Sequence, residues 1–369
     1  MRMLLPLLLV IFLPRFRSKG VYLVEERNGK TYTQPLTSAS PIQIGEQIRE
    51  LFDLDINENE PVGPTNKLVS AYMKTLYQQL ENYENGGKHE KEEEEVNVWL
   101  SADRIVSHLA EEVSHRMDDG SYQIRFSRSS VPSTEGQSIL RAQLRVQITG
   151  VVSPVFFYIE DTSLPGDTVL VSSEDPNVVT DVTTLVDKWS HLQSSMLPIV
   201  TARASTENEL KIEAFLVIAL KDENGGPPKR RSRRAATAAP LSAAAPMRKK
   251  TKRSESAYYE KPDANAFCQR KGLYVDFDVL GWKQWVIAPE GFSAFYCSGA
   301  CSAPFQKTMN ATSHAIVQSL IYLVRPNTTT AAQCAPSHLT SMKILFVDQK
   351  KDVQIKRYRD MVVEECGCH

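Results

Sequence analysis

The sequence predicts a chain of two unlike parts: an N-terminal region of amphipathic helices and an antiparallel β-sandwich, then a small disulfide-rich all-β domain with one helix. Three observations predict it. All six cysteines lie between Cys268 and Cys368, and none precedes them. The period of the apolar residues changes from helical to alternating beyond residue 120. Between the two parts, residues 221–253 are rich in Ala, Pro and basic residues and carry almost no large apolar side chain, a composition that cannot build a core. The net charge of −1 at pH 7 singles out no partner.

From the N-terminus, Arg2 precedes an apolar run, Leu4 to Leu13, that is too short for a bilayer span of ~20 residues and fits a signal peptide over residues 1–18. A buried core helix is the alternative. Later segments are not apolar enough to cross a membrane, so a secreted chain is expected. Residues 42–54 place Ile44, Ile48, Leu51 and Phe52 on one helical face, and residues 68–80 do the same with Leu68, Tyr72, Leu76 and Leu80. Residues 84–95 (ENGGKHEKEEEE) read as a solvated charged loop, and 99–113 (WLSADRIVSHLAEEV) as a further short helix. Strands are then expected in 121–126, 138–148, 151–160, 167–171 and 209–220, with Leu140, Ala142, Leu144, Val146 and Ile148 alternating on one face. The basic linker holds Arg231-Ser232-Arg233-Arg234, which fits the R-x-R/K-R pattern of furin-like convertases, and the weaker Lys250-Thr251-Lys252-Arg253. Such proteases need an extended, accessible chain. A solvated linker or a nuclear signal is the plainer reading of each cluster.

The six cysteines are Cys268, Cys297, Cys301, Cys334, Cys366 and Cys368. An even set in a secreted chain reads as a disulfide framework, with fifteen connectivities open. The segments Cys297-Ser-Gly-Ala-Cys301 and Cys366-Gly-Cys368 favour one of them. Joining Cys297 to Cys366 and Cys301 to Cys368 closes an eight-residue ring. Gly299 and Gly367 keep it slim enough for a Cys268–Cys334 bridge to thread it, as in a cystine knot. That bridge closes a loop of about 67 residues and contributes ~4 kcal/mol in the chain-entropy model. Zinc binding remains an alternative, with His314, His338 and His369 nearest in sequence. A nucleophilic cysteine is another, although no residue marks its base. The strand-like stretches 273–277, 285–289, 295–297, 341–347 and 353–363 form two-faced hairpins with little interior, so covalent staples stand in for a core.

The stretches LGWKQWVIAPEGFSAFYCSGAC, MNATSHAIVQSLIYLVRP, CAPSHLTSMKILFVD and YRDMVVEECGCH cover nearly all of residues 268–369. They resemble the bone morphogenetic protein branch of the transforming growth factor-β superfamily, above all osteogenic proteins five to eight and their insect 60A-like relatives. The resemblance implies a cystine-knot growth factor domain with one helix. It would be preceded by a prodomain (residues 19–220) whose helices grip the growth factor and whose strands form a β-sandwich arm. The linker is then 221–253 and the mature domain 254–369, cut by a furin-like convertase at Arg231, Arg233, Arg234 or at Lys252, Arg253. The family has paired cysteines where this chain has Gln333-Cys334. Cys334 aligns with the knot cysteine, so Gln333 takes the interchain position and the dimer lacks its interchain disulfide.

The resemblance also implies a non-enzymatic ligand that gathers type I and type II serine/threonine kinase receptors for Smad signalling, as a homodimer or as a heterodimer with a paralogue. The helix at 314–324, with Ile316, Val317, Leu320 and Leu323, is expected to bury its stripe in the partner. The type I site would use Trp282, Trp285, Ile344, Tyr358 and Met361 of one chain and Pro304, Ile316 and Leu320 of the other. For the tryptophans, core packing is the alternative. The type II site would use Ala288, Pro289, Leu345 and Ile355. Lys343 stands where the family has a small residue, and Ala303 where it has an aromatic. Asn310-Ala-Thr312 and Asn327-Thr-Thr329 are glycosylation sequons, and a retained basic arm would attract heparan sulfate. Cofactors, metal and nucleic acid are not expected. A secreted knot antagonist and a secreted hydrolase are the rival readings.

Overall fold

The computed structural model describes residues 22–27, 30–35, 65–84, 86, 93–131, 136–149, 155–161, 168–173, 177–191, 199–203, 210–223 and 267–369. The signal segment, the 42–54 helix and both basic clusters lie outside them.

The described helices are α1 (Lys67–Glu84), α2 (Glu93–Ser101), α3 (Thr183–His191) and α4 (Ser313–Val324). The strands run β1 (Tyr22–Arg27), β2 (Lys30–Pro35), β3 (Arg104–Leu109), β4 (Glu112–Val113), β5 (Ser121–Arg125), β6 (Gln137–Thr149), β7 (Val155–Asp161), β8 (Thr168–Ser173), β9 (Asn177–Asp181), β10 (Ile199–Arg203) and β11 (Lys211–Asp222). In the C-terminal domain they are β12 (Gln269–Asp276), β13 (Val286–Ala288), β14 (Gly291–Ser293), β15 (Tyr296–Ser298), β16 (Cys334–Val347) and β17 (Val353–Cys368).

Helix α1 starts where Asn66 caps it, its side-chain oxygen accepting from the Leu68 amide at 2.8 Å. It buries Val69, Met73, Leu76, Tyr77 and Leu80. The stripe is thus rotated slightly from the expected Leu68–Tyr72–Leu76–Leu80 line, and Leu68 and Tyr72 pack at its margin. Two expectations need correction. The helix expected over 99–113 sits earlier, at α2, and takes in residues 93–95 of the supposed charged loop. The segment after α2 is strand β3, whose Ile105 and Val106 are buried on opposite faces, as β-branched residues in a central strand require. Strand β11 also runs on through Lys221 and Asp222, residues expected to open the linker.

A seven-stranded sheet, ordered β13-β16-β17-β3-β11-β6-β9, joins the N-terminal region to the C-terminal domain. The seam is β3 against β17, with Val353 opposite Ser107 and Lys356 opposite Arg104. Strand β11 is buried on both faces for a reason that its alternation makes plain. Ile212, Ala214, Leu216, Ile218 and Leu220 join Tyr122, Ile124 and Phe126 in one core, towards the sheet ordered β4-β5-β10-β7-β8. Phe215, Val217 and Ala219 face the other way, into a core shared with α1, α2 and the C-terminal Leu345, Val347, Val353 and Ile355. A third sheet pairs β1 with β12, Tyr22 opposite Tyr274. Among the described residues no helix is long and apolar enough to cross a membrane.

Candidate functional site

Three disulfides hold the C-terminal domain: Cys268–Cys334, Cys297–Cys366 and Cys301–Cys368. The last two join the CSGAC and CGC segments into a ring. Cys268 reaches it from the CSGAC side, where its amide donates to the Ala300 carbonyl at 3.2 Å. Cys334 reaches it from the other side, opposite Cys368 in the β16–β17 ladder, with Ala335 opposite Gly367. The bond between them crosses the ring, and the sulfurs of Cys268, Cys301 and Cys368 lie within 4.8 Å of one another. Three thiolates so placed would suit zinc; these sulfurs are instead bonded to cysteines. Gly299 makes the crossing possible. Its φ is +130°, and a Cβ there would stand 2.3 Å from the Phe267 carbonyl oxygen.

Beyond the knot, β12 pairs with β14 and β15 in one finger, and the β16–β17 hairpin, edged by β13, forms the other. The tryptophans of GWKQW sit in a 3-10 turn entered through Gly281 at φ +78°. Trp282 stacks on Phe277 with centroids 5.3 Å apart, lies 4.9 Å from Trp285, and Trp285 meets Phe346 edge-on at 6.2 Å. Ile344 and Tyr358 complete this core. Of the eight residues expected at the type I site, Trp282, Trp285, Ile344 and Tyr358 are therefore buried in their own chain, because flat fingers have no other aromatic core. Met361 and Ile316 are half-buried, while Pro304 and Leu320 are exposed.

Helix α4 is capped by Thr312, whose hydroxyl accepts from the Ala315 amide at 3.1 Å. It buries Ala315 and Ser319, the latter donating to the Cys301 carbonyl at 3.2 Å. Val317, Leu320, Ile321, Leu323 and Val324 are exposed, Val324 at 78%. A run of apolar side chains on one helix is left uncovered by its own chain. Gln333 is exposed beside a shallow groove of about 410 Å³ between the CSGAC segment and residues 331–334. Its backbone exchanges two hydrogen bonds with His369, each 2.9 Å. Asn310 and Asn327 are both exposed.

The outer face of the second finger is covered. Leu345 and Ile355 are buried in the core shared with α1, and Ala288 packs at its edge. Polar groups rim the contact. Lys343 donates to Glu84, which also lies 3.7 Å from Arg357. Arg357 donates to the Leu100 carbonyl, Arg359 pairs with Asp103 at 3.2 Å, and Arg104 donates to Gln354 at 2.8 Å. His108 meets Asp352 at 2.9 Å. Burial holds the Lys343 ammonium below the usual lysine pKa, against the pull of Glu84. Burial and the Asp352 charge push the Asp348 carboxyl up. Lys343 was visible in the sequence as an oddity, but nothing local could pair it with Glu84, 259 residues away.

The family model described as "Transforming growth factor beta like domain" matches residues 267–368. Residues 267–368 are thus a transforming growth factor-β-like domain, and over that domain the chain is similar to bone morphogenetic proteins. Human bone morphogenetic protein 8A is 51% identical over 102 residues, 28% of this chain and 25% of that protein. Protein 60A of Drosophila melanogaster is 46% identical over 110 residues, 30% and 24%. The Derriere protein of Xenopus tropicalis is 40% identical over 120 residues, 32% and 34%. The matches thus span a quarter to a third of these relatives. The growth factor domain accounts for the knot, the two fingers and the exposed α4. The family is one of non-enzymatic ligands, and its members act as dimers.

Proposed function

We propose that the chain is the precursor of a secreted, dimeric signalling ligand that assembles type I and type II serine/threonine kinase receptors and drives Smad phosphorylation. The observation that carries the reading is a family-matched knotted domain whose α4 leaves an apolar face uncovered. A signal peptide over residues 1–18 directs export. Residues 19–220 act as the prodomain, and a furin-like convertase cuts the 221–253 linker after Arg234 or Arg253, freeing the mature domain. Two copies bury each α4 against the partner's fingers. With Gln333 at the interchain position, the pair associates without a disulfide between chains, as a homodimer or with a paralogue.

Each type I site then takes Pro304, Ile316 and Leu320 from one chain and Met361 from the other, with Trp282, Trp285, Ile344 and Tyr358 bracing the concave wall from behind. The type II face is Ala288, Pro289, Leu345 and Ile355. The burial of Leu345 and Ile355 under α1 supports a prodomain that masks this face until it is displaced. Glycans at Asn310 and Asn327 flank α4, and the basic arm left by cleavage at Arg234 attracts heparan sulfate. A dimer presents each site twice, so geometry and avidity carry the signal.

Conditioned medium from cells expressing the full chain, added to receptor-bearing cells, should raise Smad phosphorylation. Arg234→Ala combined with Arg253→Ala should abolish the response. A fall below the basal level would identify an antagonist, and no change on addition of the cleaved product would refute the ligand reading.

A further inference from the structure

A row of cations crosses the outer face of the second finger. Lys343 comes from β16, Arg357 and Arg359 from β17, and each meets an oxygen of the N-terminal region: Glu84, the Leu100 carbonyl and Asp103. The row borders Leu345 and Ile355, which share an apolar cluster with Leu76 and Leu80 of α1. Lys343 is the most enclosed of the three, its side chain 6% exposed. A buried ammonium without a counter-charge is strongly disfavoured. When α1 leaves this face, Glu84 leaves with it, and whatever next covers Leu345 must also answer Lys343.

We propose that the protein partner that replaces the prodomain on this face sets a carboxylate against Lys343 in the place of Glu84, and apolar side chains against Leu345 and Ile355. The prodomain helix is in this sense a mimic of the partner it excludes, and Lys343 selects among type II receptors. The inference rests on reading this face as the type II contact. A sulfated glycan also carries anions, but it would leave Leu345 and Ile355 against polar sugar. The mixture of cations and buried aliphatics favours an acidic, partly apolar protein surface.

Two measurements on the full chain, cut by convertase and purified with its prodomain, test it. The first is prodomain retention. Lys343→Glu and Glu84→Lys should each speed prodomain loss about tenfold or more, and the charge-swapped double variant should restore most of it. The second is capture on a panel of immobilised type II receptor ectodomains. Capture of the unmodified chain should weaken with salt. Lys343→Glu should bind about tenfold less or worse, and the neutral Lys343→Met should show a weaker salt dependence than the unmodified chain, with Arg357 and Arg359 still in place. Non-reducing peptide maps verify that each variant keeps its three disulfides. Equal or tighter receptor capture by Lys343→Glu overturns the proposal, as does a variant that loses heparin retention alone. If the unmodified chain is captured by no ectodomain, the receptor reading itself fails. Failure of the charge swap to restore retention shows separately that the row does not select carboxylates.

Discussion

Gly299→Ala should disable the knot. The position has φ +130°, where an L residue carries roughly 1–3 kcal/mol of backbone strain. Its new methyl would stand 2.3 Å from the Phe267 carbonyl oxygen and 2.7 Å from the Cys268 nitrogen. Both are backbone atoms that cannot swing aside, so the approach of the Cys268 strand must loosen, at about a further 1–3 kcal/mol. The sum, about 2–6 kcal/mol, is comparable with the ~4 kcal/mol that a bridge spanning 66 positions contributes in the chain-entropy model. Threading should therefore fail or scramble. Gly281→Ala is the control: its φ is +78° but nothing lies within 4 Å of the new Cβ, so it should cost only about 1–2 kcal/mol. The assay is the secreted yield of the full chain together with a non-reducing peptide map. Gly299→Ala secreted at the unmodified level with all three native bonds would refute the reasoning.

Leu80→Ala, at a fully buried position of α1, should cost about 2–5 kcal/mol in a denaturant titration of the full chain. Thr312→Ala should lose about 1 kcal/mol of capping and, because it breaks the Asn310 sequon, the glycan proposed there as well. Thr312→Ser keeps both, and Asn310→Gln removes the glycan alone, so mass and thermal stability separate the two effects. Burial, then the charges of Glu81 and Glu84, hold the Tyr77 phenol above its ordinary pKa. The folded state then keeps a proton that the unfolded chain loses above about pH 10, so this contribution to stability declines as pH rises past that value. Tyr77→Phe should flatten the decline and cost little at neutral pH, because its bond to the Lys343 carbonyl is long, at 3.4 Å. Gln333→Cys should convert a dimer that separates in SDS into one that separates only on reduction.

The growth factor domain was more legible than the region before it, because its information is local and covalent. Cysteine spacing, Gly299 and the apolar run of α4 each announce themselves within a few residues. The stretch from residue 84 to 113 misled for the opposite reason. Residues 84–95 read as a solvated loop, yet Glu84 ends α1 and residues 93–95 begin α2. Residues 99–113 read as a helix, while Ile105 and Val106 of β3 each needed apolar cover on opposite faces. The tryptophans of GWKQW were ambiguous because an aromatic anchor and an aromatic core have the same composition, and only burial separates them.

By itself the sequence determined where the chemistry lies: the sulfurs at one end, a basic break before them, and which short segments prefer strand or helix. Those depend on properties of a residue and its near neighbours. Tertiary structure alone decided that β3 docks on β17, that α1 covers Leu345 and Ile355, and that Lys343 finds Glu84. Each joins parts of the chain some 250 residues apart. Backbone hydrogen bonding is the same for every strand edge, and an apolar stripe does not name the surface that will cover it, so the choice among partners emerges only when all the surfaces compete at once.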